Sequence, residues 1–270
     1  MTNSGRDALR AETDELGIAT ITIDRAEVMN AFDIATMEAL AALVDEVGSD
    51  PVTTTIVITG AGPAFTTGAD LQNHADSKAT GDEATAIARR SMDAAGLLVR
   101  TIVRVPVPVI AAVNGPAAGV GVSIALASDF AVLSEDAYLF FAFSGLGLMP
   151  DGGATVLLAA SIGRARANDV LFGAKMVSAR DAAELGMIAE TLPADEFAEG
   201  VAKRARRLAR GPRNALRMTK VGVNAPLLAQ LDAALELESD GQTELLTGPE
   251  FAEGVSALLG KRRPDFVSLR

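Results

Sequence analysis

Short apolar segments that lead directly into glycine-rich turns are the feature that most constrains the fold of this chain. Residues 54–59 (TTIVIT) have the length and β-branched content of a buried strand, and residues 60–70 (GAGPAFTTGAD) follow them. Residues 107–113 have the same character and lead into residues 114–123 (NGPAAGVGVS), where a helix is predicted to begin near Val120. The repeated order of strand, turn and helix predicts an α/β core.

The flanking segments continue this alternation. Residues 17–24 (GIATITID) alternate in character, which predicts a strand, and Asp33 is placed to cap the helix that follows. Apolar residues recur at helical spacing from Ile34 to Val47, and residues 82–104 predict a long helix. Further elements are predicted at 120–127 (helix), 130–133 (strand), 153–162 (helix) and 179–185 (helix capped by Ser178).

The pattern becomes purely helical beyond about residue 195. Breaks in the helices are predicted at Gly211-Pro212, at Pro226 and at Gly248-Pro249. We therefore predict two regions, an α/β core over residues 1–195 and a helical carboxy-terminal region over residues 196–270.

Composition disfavours several kinds of site. The 270 residues include no cysteine, which excludes disulfides and cysteine nucleophiles. The one histidine, His74, is expected on a surface loop. With no cysteine and one histidine, no metal site is predicted. A net charge of -11 argues against nucleic-acid binding. The polar amino-terminal segment and the prolines within residues 105–127 argue against a secretion signal and a membrane span, so a cytoplasmic protein is expected.

The two glycine-rich turns are suited to hold a negative charge. Gly60, Gly62 and Gly68 permit backbone conformations that aim amides inward, and the start of a helix near Val120 presents unpaired amides. Two such turns can form an oxyanion hole, in which each donor lowers a reaction barrier by roughly 3 kcal/mol. Neither turn contains the GxxxxGK[ST] or GxGxxG phosphate-binding pattern.

Residues 149–155 (MPDGGAT) contain one carboxylate, that of Asp151, and its role has two interpretations. Asp151 follows a proline and precedes two glycines that let the backbone approach a ligand closely. Pro-Asp-Gly is also a common turn, and an aspartate before a helix is a common cap. The fragment by itself is typical of a capped turn, and catalysis becomes the better hypothesis only in the context of the whole chain.

Five motifs occur along the chain in a fixed order and closely resemble those of the crotonase, or enoyl-CoA hydratase/isomerase, superfamily. The likeness covers about residues 18–266. The motifs are DRAEVMNAFD (24–33), GPAFTTGADL (62–71), PVIAAVNGPAAGVGVSIALASDF (108–130), GLGLMPDGGAT (145–155) and EGVSALLGKRRPDF (253–266).

This resemblance implies a spiral core of ββα units, a helical trimerisation region and an acyl-CoA substrate. The coenzyme A is part of the substrate, so no separate cofactor is expected, and the assembly would be a homotrimer or a dimer of trimers. The oxyanion amides would belong to Ala69 and Val120, and Lys261 would approach the CoA phosphates from a neighbouring subunit. Other expected substrate contacts are Arg25, Ala26 and Val28 near the CoA, with Gly68, Asp70, Leu71, Gly119 and Phe143.

The chain departs from the pattern of the hydratases in this superfamily at both catalytic glutamates. Ser123 and Phe143 occupy these positions, and neither side chain can act as the acid or base that adds water to a double bond at neutral pH. Asp151 is the substitute candidate, because similar chains with PDGG or PDSG here include isomerases that shift a double bond in an acyl-CoA. The resemblance therefore implies an enoyl-CoA isomerase in which Asp151 moves one proton while the enolate oxygen is held by amides.

Alternative functions remain open at this point. They are a non-catalytic acyl-CoA-binding protein, a hydratase with an unrecognised acid or base, and an aromatic acyl-CoA dehalogenase. The last is disfavoured because the chain has no tryptophan and one tyrosine. A hydrolase triad at Ser123 or Ser144 lacks a histidine partner.

Two groups of basic residues have no assigned role. They are the run 203–210 (KRARRLAR) and the pair Arg262 and Arg263, and both are typical of a solvated surface or of contacts to CoA phosphates.

Overall fold

The computed structural model describes residues 4–70 and 79–270, which form an α/β core followed by a run of helices. The strands are β1 Leu9–Thr13, β2 Ile18–Ile23, β3 Thr55–Gly60, β4 Val109–Val113, β5 Ala117–Ala118, β6 Phe130–Ser134, β7 Tyr138–Phe140, β8 Met176–Ser178 and β9 Glu190–Leu192. The helices are α1 Ser4–Asp7, α2 Ile34–Ser49, α3 Gly81–Arg104, α4 Val120–Ala127, α5 Ala154–Ile162, α6 Arg164–Phe172, α7 Ala179–Leu185, α8 Phe197–Ala209, α9 Arg213–Leu246 and α10 Pro249–Leu259. Short 3-10 helices cover Ala26–Val28 and Phe143–Leu146.

A six-stranded sheet with the order β1-β2-β3-β4-β6-β9 forms the centre of the core. Strand β1 is antiparallel to β2, whereas the remaining neighbours are parallel. The parallel pairs align Ile21 with Ile58 and Ile58 with Ala111. A smaller sheet, β5-β7-β8, lies beside it. Parallel neighbours need long crossovers, which α2 and α3 supply.

Alternate residues of the sheet face two different layers. The larger apolar core packs side chains such as Ile56 and Ile58 against α2, α3 and α4. The opposite face presents residues such as Val57 and Ile110 to Val201 and its neighbours on α8. This period of two is the signature of strands that are buried on both faces.

Local signals in the sequence predicted most of the larger elements. Helix α4 occupies the predicted residues, and the main strands lie within two residues of the predicted ends. Both predicted caps form, since the Asp33 carboxylate accepts from the Thr36 amide at 2.7 Å and the Ser178 hydroxyl accepts from the Asp181 amide at 3.1 Å. Side-chain acceptors at these positions satisfy amides that the first turn leaves unpaired.

The predicted helix break at Pro226 is wrong. Pro226 lies inside α9, which runs from Arg213 to Leu246. The helix continues because residues on both sides of the proline are held on the core: the Asn224 side chain donates to the Val103 carbonyl at 3.1 Å, and Leu231 is fully buried. Tertiary packing outweighs the loss of one backbone hydrogen bond.

Several short elements are not evident from the sequence. Strands β5, β7, β8 and β9 have two or three residues each, which is too short to show a period. Strand β1 (LRAET) lies at the edge of the sheet with one buried residue, so it lacks alternation. Gly163 alone separates the end of α5 at Ile162 from the start of α6 at Arg164.

The carboxy-terminal helices lie against the core. Helix α8 packs on the sheet, α9 packs along α3, and α10 packs on the 3-10 helix Phe143–Leu146. The division at residues 195 and 196 remains a prediction. Among the residues that the structure describes, no helix combines the length and the apolarity that a membrane span requires.

A buried ion pair joins α9 to the core. The Lys220 ammonium lies 2.8 Å from the Asp129 carboxylate and donates to the carbonyls of Ile102 and Val107. Removing one member of such a pair leaves the other charge without its partner.

We predict that Lys220→Met lowers the free energy of unfolding by about 3 kcal/mol. The exposed Lys203→Met on α8 is the matched control and should change it by less than about 0.5 kcal/mol. Urea denaturation at neutral pH measures both values. Equal losses in the two variants would show that the Lys220 contact contributes nothing.

Candidate active site

Asn114 fastens the two glycine-rich turns to each other. Its Oδ1 accepts from the Gly60 amide at 3.1 Å, and its Nδ2 donates to the Gly62 carbonyl at 3.0 Å. Asn114 follows β4, and Gly60 ends β3, so one side chain joins the ends of two adjacent parallel strands. The conformation of the first turn therefore depends on a side chain from the second.

Asn30 holds the first turn from the other side. It is fully buried, and its Nδ2 donates to the carbonyls of Ala61 and Ala64 at 2.8 Å each. Its Oδ1 accepts from the Arg25 amide at 2.9 Å. All three partners are backbone groups, whose hydrogen bonds fix the path of the chain through the turn. The DRAEVMNAFD motif thus braces the glycine-rich turn.

The turns approach so closely that side chains are excluded at their contact. A Cβ on Gly115 would lie 2.1 Å from the Pro63 carbonyl oxygen. A Cβ on Gly68 would lie 2.7 Å from the Ala118 carbonyl oxygen, and the Gly68 φ of 85° is strained for other residues. Glycine is required here for both space and conformation.

This contact brings Ala69 and Val120 to one cavity. The Phe32 amide donates to the Gly68 carbonyl, and the Asp70 amide donates to the Phe32 carbonyl. Hydrogen-bonding groups alternate sides along an extended segment, so the amide of Ala69 points away from Phe32. Val120 is the first residue of α4, where amides lack partners within the helix.

The cavity has a volume of about 310 Å³ and is predominantly apolar. Its charged lining residues, within the described part of the chain, are Asp151 and Arg262. The other residues that line it are Met37, Thr67, Ala69, Ser91, Met92, Ala95, Ala118, Gly119, Val120, Phe140, Ala142, Phe143, Gly145, Leu146, Leu148, Gly254, Ala257, Leu258 and Pro264. A largely apolar wall with few polar groups is typical of a small-molecule site.

Asp151 is half-buried at the wall of this cavity. Its Oδ2 accepts from the Gln242 side-chain amide at 2.9 Å, and its backbone carbonyl accepts from the Ser123 hydroxyl at 2.8 Å. Burial raises the pKa of Asp151 from its ordinary 3.8 to about 6, while the hydrogen bond from Gln242 opposes part of that rise. The carboxyl group is therefore a stronger base than a surface aspartate.

The first turn of α5 is capped by Glu238 from α9 and not by the Asp151 side chain. Glu238 is 1 % exposed, and its carboxylate accepts from the amides of Gly153 at 2.6 Å and Thr155 at 3.1 Å, and from the Thr155 hydroxyl. Burial raises the pKa of Glu238 to about 7, opposed by these hydrogen bonds. The cap interpretation of Asp151 is therefore wrong.

Ser123 and Phe143, which stand where the resemblance places the glutamates of a hydratase, have different surroundings. Phe143 lines the cavity and is 4 % exposed. Ser123 is fully buried and bonds to the Asp151 backbone, so it supports the loop instead of adding a group to the wall. Ser144 donates to the carbonyls of Leu171 and Phe172, which is a structural role.

The expected catalytic and substrate-binding residues fall into three groups: those at the cavity, those away from it and those outside the described residues. Ala69, Gly119, Val120, Phe143 and Asp151 come together at the cavity. Arg25 donates to the Ala31 carbonyl and lies 3.5 Å from Asp33, so it braces its own loop. Ala26, Val28, Gly68, Asp70 and Lys261 are outside the cavity lining, whereas Leu71 and His74 lie outside the described residues.

Helix α10 and the segment after it cover the cavity of their own chain. Gly254, Leu258 and Arg262 contribute to the lining, and Arg262 pairs with Glu253. Lys261 is exposed beside them. The basic run on α8 contributes no lining residue, and its Arg204 pairs with Glu190 and stacks over Phe130.

Glu238 and Gln242 are not evident from the sequence as residues of the site. Of the phenylalanines within residues 140–143, Phe140 and Phe143 line the cavity, whereas Phe141 is fully buried in the main core. Glu238 and Gln242 are four residues apart, which places them on one face of α9. In the sequence that spacing is equally typical of a solvated helix surface.

Comparisons with known proteins identify the family of this chain. The enoyl-CoA hydratase/isomerase family matches residues 13–268. A protein of Rhodobacter capsulatus named "Probable enoyl-CoA hydratase" is 40 % identical over 259 residues, which cover 96 % of this chain and 97 % of that one. The 1,2-epoxyphenylacetyl-CoA isomerase of Escherichia coli K12 is 36 % identical over 94 % of this chain and 96 % of its own.

Solved structures support the fold. An enoyl-CoA hydratase from Mycobacterium avium subsp. paratuberculosis superposes with a TM-score of 0.86 at 37 % identity and covers 96 % of this chain and 98 % of that one. The crotonase-like α/β fold with a helical carboxy-terminal region, expected from the motifs, is confirmed. The chain belongs to the enoyl-CoA hydratase/isomerase family.

Proposed function

We propose that this protein is an enoyl-CoA isomerase that shifts a double bond in an unsaturated, open-chain or ring-containing acyl-CoA. One observation carries the proposal. Asp151 is the carboxylate among the described residues that line the cavity, and the residues at both expected hydratase glutamate positions, Ser123 and Phe143, have no group that can act as the acid or base of a hydration at neutral pH. A cavity with one base suits a reaction that moves one proton.

The reaction uses the Asp151 carboxylate as base and then as acid. The carboxylate takes a proton from C2 of a 3-enoyl-CoA, and the C–H electron pair forms the enolate with its charge on the thioester oxygen. Amides of Ala69 and Val120 hold that oxygen. The thioester carbonyl then re-forms, the double bond moves to C2–C3, and Asp151 returns the proton to C4.

The apolar wall favours this chemistry. Phe140, Phe143 and Leu148 lie around the cavity, and an environment poor in water strengthens the interaction between amides and the developing oxyanion. A volume of about 310 Å³ suits the acyl part of the substrate, with the CoA outside. The proposal includes a cytoplasmic homotrimer or dimer of trimers that needs no cofactor beyond the CoA of its substrate.

Hydration is the competing activity, because the relative at 40 % identity carries a hydratase name. It requires an acid or base other than the residues at positions 123 and 143. A non-catalytic protein would bind CoA esters without turnover. Assays with an unsaturated substrate for each reaction separate the three functions.

We predict that the purified protein converts 3-hexenoyl-CoA to the 2-enoyl thioester and that Asp151→Asn lowers kcat by at least about a hundredfold. The amide of asparagine retains the shape of the side chain but cannot accept the proton. Absorbance of the conjugated thioester follows the reaction. Asp195→Asn, on the surface between β9 and α8, is the control and should match wild type.

Equal rates for wild type and Asp151→Asn would remove Asp151 from the mechanism. Hydration of crotonyl-CoA at a rate above that of isomerisation would replace the proposed reaction. Tight binding of CoA esters with no turnover of either substrate would favour the binding protein.

We predict that kcat/KM rises with pH through an apparent pKa near 6 and then levels. The base must be ionised to act, so activity near pH 5 is about tenfold below the plateau. A profile measured with 3-hexenoyl-CoA checks this. A rate that falls as the pH rises through this range would show that the group acts first as an acid.

We predict that Asp151→Asn stabilises the fold by an amount that grows as the pH rises from about 4 and is largest above pH 6. Since folding raises the pKa of Asp151 from 3.8 to about 6, ionisation costs stability as the pH rises through this interval. The gain in unfolding free energy is up to about 3 kcal/mol at pH 8 and about 1 kcal/mol near pH 4.5. Urea denaturation at both pH values measures it, and a gain that is independent of pH contradicts the assignment.

A further inference from the structure

Helix α9 sends two buried polar side chains to the loop that carries Asp151. Glu238 and Gln242 are 1 % and 0 % exposed, and they are separated by one helical turn. Polar side chains in such positions are costly unless each of their groups is bonded. The proton transfer proposed above uses neither of them directly.

Both ends of the Gln242 amide are engaged by the same loop. Its Oε1 accepts from the Met149 backbone amide at 3.1 Å, while its Nε2 donates to Asp151 Oδ2 at 2.9 Å. A backbone N–H can only donate, so Oε1 must face Met149 and Nε2 must face Asp151. The orientation of the side-chain amide is therefore determined by the backbone.

We propose that Gln242 is a positioning residue that holds Oδ2 of Asp151, so that Oδ1 alone takes the proton from the substrate and returns it. This inference rests on the proposed isomerase function. Because a single oxygen moves the proton between two carbons, its position must be maintained through both transfers. A hydrogen bond to the other oxygen limits rotation of the carboxylate.

Glu238 helps the Asp151 carboxylate to remain a reactive base. Its carboxylate accepts hydrogen bonds from the amides of Gly153 and Thr155 at the start of α5. Those donors would otherwise be available to the nearby Asp151 carboxylate and would lower its basicity. Within residues 4–70 and 79–270, the charged groups that face Asp151 are Glu238 on α9 and, across the shared cavity, Arg262 beyond α10, which is paired with Glu253.

The test compares Gln242→Met with Gln230→Met. Methionine has about the length of glutamine without its amide, and Gln230 is an exposed glutamine on the same helix. We expect Gln242→Met to lower kcat for 3-hexenoyl-CoA about tenfold with KM unchanged. The apparent pKa in the kcat/KM profile should rise by about half to one pH unit, because a donor to the carboxylate is lost. Gln230→Met should match wild type.

The isosteric Gln242→Glu provides a second variant. A carboxyl group facing Asp151 should raise the apparent pKa further than methionine does, because two carboxylates repel each other. If either folded variant retains the wild-type kcat and pH profile while Asp151→Asn is inactive, Gln242 has no positioning role. If Asp151→Asn remains active, the proposed function fails instead.

A thermal double-mutant cycle tests the contact without turnover. Gln242→Met is compared in proteins that carry Asp151 and in proteins that carry Asp151→Ala, at pH 8. The lost Met149 contact is common to both backgrounds and cancels. We expect the fall in Tm to be about 2–4 °C smaller with alanine at position 151. Equal falls would overturn the proposed hydrogen bond.

Discussion

The close contact between the two glycine-rich turns is the constraint on which the site depends. Gly115 lies against the backbone of Pro63, and Gly68 lies against that of Ala118, at separations that leave no room for a Cβ. The Asn114 side chain ties the turns through hydrogen bonds to Gly60, Gly62 and Ala64. Ala69 directly follows Gly68 and Val120 directly follows Gly119, so this packing determines where both residues line the cavity. The precision of the proposed oxyanion hole is therefore a property of backbone packing.

The loop that carries Asp151 depends on a different kind of interaction. Burial of the Glu238 carboxylate costs several kcal/mol, and its hydrogen bonds to the start of α5 offset this cost. The same helix supplies Gln242 to the carboxylate of Asp151. Helix α9 thus connects the carboxy-terminal region to the cavity wall through polar contacts, while its apolar residue Leu231 anchors it in the core.

The sequence predicts an element correctly where the residues that determine it are close together in the chain. The cap at Asp33 and the start of α4 at Val120 follow from residues within one helical turn. The prediction is ambiguous or wrong where the residue that determines the structure is distant in the chain. The interpretation of Asp151 as a cap competed with catalysis because Glu238, 83 residues beyond Thr155, could not be paired with α5. Pro226 was misjudged for the same reason, since contacts to α3 maintain the helix.

The replacement of the first hydratase glutamate has a structural consequence. Ser123 is too short to reach the cavity from its buried position on α4, and its hydroxyl donates to the Asp151 backbone instead. A Cβ on Gly152 would lie 2.9 Å from Ser123 Cβ, so glycine at position 152 lets the loop lie directly against α4. This close approach and the hydrogen bond from the Ser123 hydroxyl hold the backbone of the loop from which Asp151 lines the cavity. A small hydroxyl side chain at position 123 therefore supports the proposed base at position 151 through the backbone and adds no second carboxylate to the cavity.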